Sequence, residues 1–196
     1  MPARLNEFVP ENSIKLIEKW LDQLNISLKF VNPRKTKLGD FRYDNKNGYQ
    51  ITINNNLNRF SSLITLIHEI AHAFVYESFG NRVIPHGKQW KDTYKRLMIN
   101  FLNLDIFPAD ILSSLSNHLI NPSASTSNDI SLSLILRKYD QNKSLTVNEI
   151  KIGQKFIYSN KIFVKKKQLR KRIKCYDVKN QKFYLFSPIA KICLQD

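Results

Sequence analysis

The 196-residue sequence predicts an α+β fold: helices packed on a small sheet, followed by a small antiparallel β unit. Three observations predict it. Apolar residues recur at three- and four-residue steps over residues 10–24, strict alternation marks residues 49–54, and after Gly153 the pattern turns to short β-rich runs.

Taken in order, residues 10–24 form an amphipathic helix with Ile14, Ile17, Leu21 and Leu24 on its buried stripe. Residues 26–31 alternate as a strand and end at Asn32-Pro33. A polar loop over residues 34–40 leads to a hairpin, with its turn at residues 44–48 and its second strand at 49–54. Ser61 or Ser62 is the expected N-cap of a long helix running to Phe79 and stopping at Gly80. It is apolar almost all round, which marks it as central. A helix over residues 88–102 presents Trp90, Tyr94, Leu97, Met98 and Phe101, and Pro108 opens another that ends near Leu119. Residues 121–128 read as a linker or surface crossing, and residues 130–139 as one more helix. Strands are then expected at 155–158, 162–165, 173–178 and 183–186. The domains expected are 1–121, a linker and short helix over 122–150, and a basic β-rich unit over 151–196.

Composition excludes several classes. Apolar residues make up 42% and aromatics 11%, as in ordinary folded proteins. The most apolar run, residues 63–76, carries His68, Glu69 and His72, so no membrane span is expected. The first seven residues lack the apolar core of a signal peptide, and Cys175 and Cys193 are the only cysteines. Both features point to a reducing cytoplasm. Net charge is +15, and its distribution is uneven. Residues 151–196 hold 13 Lys or Arg against two acids, a net of +11, while residues 1–150 hold 18 against 14, a net of +4. A concentrated basic field draws in polyanions, of which nucleic acid is the commonest.

His68-Glu69-Ile70-Ala71-His72 carries the chemistry. Residues four apart stand one turn above each other on a helix, so both imidazoles can reach one ion, and Glu69 can address that ion's water. A catalytic zinc takes three protein ligands and leaves one position for water. The metzincin pattern would need Gly at 75 and His at 78, where this chain has Val75 and Ser78. Glu77 falls on the opposite side of the helix. His86, between Pro85 and Gly87, is the remaining good candidate; His118 reads as a surface or C-capping histidine.

The pentad followed by Pro85-His86-Gly87-Lys88-Gln89-Trp90 resembles the SprT-like family of zinc metallopeptidases, which includes the Spartan-type DNA–protein crosslink proteases. The resemblance covers about residues 10–120 and implies a zincin-like domain, one catalytic Zn2+ on His68, His72 and His86, Glu69 as the catalytic residue, and Trp90 as a core anchor beside the site. Many relatives end in a four-cysteine zinc ribbon, which two cysteines cannot build. The tail resembles instead the basic β-rich ending of some bacterial SprT-like proteins.

The function expected is peptide-bond hydrolysis, with Glu69 taking the proton of water and passing it to the leaving nitrogen. The polar side of the alternating strand, Gln50, Thr52 and Asn54, is a candidate for pairing with an extended substrate, or the strand is an internal member of its sheet. Tyr76, Tyr94 and Lys88 are candidates for steadying the oxyanion. In the tail, Lys165, Lys166, Lys167, Arg170, Lys171, Arg172 and Lys174 lie among aromatics, a composition suited to DNA with single-stranded character or, alternatively, to a hairpin with solvated lysines. Partners expected are therefore protein substrates and DNA. Two other readings stay open: a nucleic-acid adaptor with a structural zinc, and a zinc peptidase for soluble proteins.

Overall fold

The computed structural model describes residues 5–34, 36–123, 129–141 and 144–195. Among the described residues it is a mixed α+β protein with six α-helices and two sheets, divided into two compact units at Asp140/Gln141.

In the first unit, short α1 (Leu5–Phe8) precedes α2 (Ile14–Gln23), then β1 (Ser27–Val31), β2 (Gly39–Asp44) and β3 (Gly48–Asn54). The order across the sheet is β1-β3-β2, with β3 parallel to β1 and antiparallel to β2. Alternation along β3 sends Ile51 and Ile53 into the core, both fully buried, and Gln50 and Thr52 to the other face. On that outer face the Arg34 guanidinium donates to Thr52 Oγ1 (2.9 Å) and Asn54 Oδ1 (2.9 Å).

Against the inner face lies α3 (Arg59–Phe79), the central helix, with Leu63, Leu66, Ile67, Ile70, Ala71 and Ala73 all buried. Its cap is Asn58, not Ser61 or Ser62: Asn58 Oδ1 accepts from the Phe60 and Ser61 amides, while Ser62 is buried one turn inside. Beyond it come α4 (Lys88–Met98), α5 (Ala109–Ile120) and α6 (Ile130–Leu136). Helix α6 packs on α5 and shares the first unit's core through Leu132 and Leu136. His118 is buried too, its Nδ1 3.0 Å from Asp129 Oδ2, so it joins α5 to the start of α6 instead of facing solvent as expected. The compact unit thus runs to Asp140, where composition had suggested a boundary at 121. Of the expected linker, residues 124–128 lie outside the described residues.

The second unit is an antiparallel sheet of β4 (Lys155–Tyr158), β5 (Lys161–Gln168), β6 (Ile173–Asp177), β7 (Lys182–Phe186) and β8 (Cys193–Leu194), ordered β7-β6-β5-β4-β8. Its core holds Phe156, Phe163, Ile173, Cys175 and Phe186, closed by Val147 and Ile150 from the segment before the sheet. No helix among the described residues is long and apolar enough to cross a membrane.

Candidate metal centre

Helix α3 presents His68 and His72 one turn apart, and His86 reaches them from the loop before α4. The Nε2 atoms form a triangle: 3.2 Å between His68 and His72, 3.2 Å between His68 and His86, and 3.0 Å between His72 and His86. His86 arrives there through a tight turn in which the Gly87 amide donates to the Ile84 carbonyl (3.0 Å). Pro85 holds the second position and His86 the third, with φ of 58°, the left-handed conformation that a type II turn imposes there. A non-glycine residue accepts such a conformation only where surrounding structure enforces it. Gly87 follows by necessity, because a Cβ there would lie 2.9 Å from the Ile84 carbonyl oxygen.

Trp90 forms the floor. It is 1% exposed, its ring centroid lies 4.5 Å from that of His68 and 4.8 Å from that of His86, and it stacks on Tyr94 at 5.0 Å. With Tyr94 fully buried and Lys88 exposed at the start of α4, neither is brought into contact with the imidazole triangle by a hydrogen bond. Tyr76 belongs to an aromatic cluster with Phe41, Tyr43 and Tyr49, where the Tyr49 hydroxyl donates to Glu77.

Burial keeps the imidazoles unprotonated. It pushes His68 down to about 2, helped by its two imidazole neighbours, and His72 down to about 4; His86 is lowered by the same cause. Three neutral rings whose ring nitrogens converge make an arrangement of lone pairs that a cation stabilises. Nitrogens bound at about 2.0–2.1 Å to one tetrahedral zinc stand roughly 3.3 Å apart, so the triangle fits such an ion and leaves a side open. The three histidines are a group able to hold a metal ion.

Glu69, the residue after His68 on α3, is 8% exposed and faces β2. Burial, and then the charge of Asp40, push its carboxyl up to about 8; the Phe41 amide, Arg34 and Lys37 oppose this. Gly39 makes room for it, since a Cβ there would fall 2.6 Å from Glu69 Oε1. Sequence reading missed Gly39, whose only signal was a glycine at the head of a strand.

Among known protein families, the SprT-like family matches residues 3–109, more than half of the chain. The chain belongs to the SprT-like family. The match takes in every element of the SprT-like site, from β2 to α4, and stops at the start of α5. No curated protein and no solved structure gives a significant match.

Two further expectations change. Gln50, Thr52 and Asn54 lie on β3, whose two edges are taken by β1 and β2, so no edge is left there for substrate pairing. The free edge nearest Glu69 belongs to β2. In the tail, Lys165 is 6% exposed and donates to the carbonyls of Ile150 (2.7 Å) and Asn148 (3.1 Å), which removes it from any binding surface. Lys166, Lys167, Arg170, Lys171 and Arg172 are exposed, and Lys174 is half-buried.

Proposed function

We propose that this SprT-like chain is a zinc-dependent endopeptidase acting on proteins held on DNA. The observation that carries the reading is the convergence of three neutral imidazoles on one point, with Glu69 following His68 directly on α3. Family membership supports the peptidase class.

His68, His72 and His86 would hold the ion, which when bound would acidify water to a pKa of about 7 and polarise the scissile carbonyl. Glu69 takes the proton of the attacking water and delivers it to the leaving amide nitrogen. The Asn54 amide donates to the Leu38 carbonyl, so in the alternating antiparallel ladder Asp40 and Arg42 bond to β3 while Gly39, Phe41 and Tyr43 turn their backbone groups to the free edge. An extended substrate segment adds to that edge, beside Glu69.

The second unit supplies the affinity for DNA through its +11 tail. Zinc quantification and an autocleavage assay on the parent and Glu69→Gln, each with and without DNA, test the whole reading. The expected result is stoichiometric zinc in both proteins and cleavage in the parent alone. A Glu69→Gln variant that cuts at the parental rate removes the mechanism.

A further inference from the structure

One face of the second unit's sheet gathers what single-stranded nucleic acid requires. Strands β6 and β7 pair Tyr176 with Phe183 and Lys174 with Leu185, so these four side chains share a face; Ile173, Cys175 and Phe186 point the other way into the core. Strand β5 adds two more lysines through an irregularity. Lys165 pairs with Cys175, but Lys167 pairs with Lys174, which leaves Lys166 as an extra, bulged residue. Simple alternation would return Lys167 to the core side with Lys165. The bulge keeps both Lys166 and Lys167 on the outer face.

The geometry there is specific. Tyr176 and Phe183 have ring centroids 5.3 Å apart, Lys174 Nζ stands 4.0 Å from the Phe183 centroid, and Lys166 Nζ stands 5.8 Å from that of Tyr176. Phe183 is 56% exposed and Leu185 62%. Side chains this open to water contribute little to the core. Asp177 is the one acid in these five strands; it lies on the core side, and its carboxylate accepts from the Lys179 and Asn180 amides. The face is therefore apolar, aromatic and uniformly cationic. A second copy of the chain would bring like charge against like charge, whereas a polyanion with planar bases matches both features.

We infer that the outer face of β5-β6-β7 is a stacking platform for single-stranded nucleic acid, with bases on Phe183 and Tyr176 and phosphates on Lys166, Lys167 and Lys174. This rests on the reading of the second unit as nucleic-acid binding and goes beyond it by naming the face and the side chains that take bases and phosphates. Rings stack on unpaired bases only, because in a duplex the base faces are covered by their neighbours. The exposed Arg170-Lys171-Arg172 turn lacks rings and serves phosphates of either form.

The test uses the full chain, a labelled oligothymidylate and a labelled duplex of equal length, with anisotropy read at two salt concentrations. The parent binds the single strand more tightly than the duplex. Phe183→Leu and Tyr176→Leu each weaken the single strand about tenfold and leave the duplex within about twofold. If both leucine variants bind the single strand like the parent while Lys166→Ser and Lys174→Ser weaken it, the platform is wrong and the basic-surface reading survives. Absence of binding to either probe at low salt overturns both. A sedimenting dimer that Phe183→Leu dissociates also overturns the platform, assigning the face to a second copy.

Discussion

Gly39 and Glu69 meet across the contact between β2 and α3, where a Cβ on Gly39 would lie 2.6 Å from Glu69 Oε1 and 2.7 Å from Thr65 Cγ2. Real Cβ contacts are never that close, so any side chain at 39 displaces the carboxylate or separates the strand from the helix. Gly39→Ala is expected to lower the peptidase rate by at least about tenfold, with zinc content unchanged, and to destabilise the fold by about 1–3 kcal/mol through overpacking. Metal analysis beside a cleavage assay checks this; parental activity would show that Glu69 does not need that seat.

Removal of the metal exposes an unusual pH dependence. Burial holds His68 near 2 and His72 near 4 in the folded chain against 6.5 when unfolded, so the stability they contribute is full above 6.5 and lost as pH falls. Glu69 runs the other way: raised from 4.5 to about 8, it keeps its proton longer when folded, and stability is lost as pH rises between those values. Between 4.5 and 6.5 the two imidazoles outweigh the one carboxyl. The chelator-treated protein is thus expected to be most stable near pH 6.5 and to lose stability on both the acid and the alkaline side. Urea melts at about one pH unit above and below that value read this directly. In Glu69→Gln the alkaline decline disappears.

His86 is held at a φ of 58° for the sake of its ring position. His86→Gly removes that strain, worth on the order of 1 kcal/mol, together with the third ligand. The metal-free variant should melt no lower than the metal-free parent, whereas added zinc should raise the melting temperature of the parent alone. Equal stabilisation of both by zinc would mean that the ion sits elsewhere.

Lys165 separates structural charge from binding charge. Its ammonium satisfies the carbonyls of Asn148 and Ile150, so Lys165→Ala should destabilise the second unit by about 1–3 kcal/mol. Hydrogen exchange at residues 148–153 would quicken accordingly, while nucleic-acid affinity under folding conditions would stay near parental. Replacing Arg170, Lys171 and Arg172 by serine should do the reverse: unchanged exchange, weaker binding and a shallower salt dependence.

The parts of the site legible in the sequence were local. His68 and His72 follow from helical spacing alone, and Pro85-His86-Gly87 announces the turn that delivers the third ring. Asn58 was missed as the cap because Ser61 and Ser62 carry the same signal; only the bonds that Asn58 Oδ1 accepts from the Phe60 and Ser61 amides tell them apart. His118 was misread because its burial comes from α6, a helix that a linker-like stretch had set apart from the first unit.

Residue order by itself determined the helix that carries two imidazoles and a carboxylate, the turn before α4, the alternating strands and the position of the charge, since each depends on interactions within a few residues. Tertiary pairing alone decided that β3 is central and β2 the free edge, that Gly39 yields space to Glu69, and that a bulge turns Lys166 and Lys167 outward while Lys165 is buried. Those outcomes depend on which strand lies beside which, and a one-residue shift in pairing reverses the face of every side chain that follows.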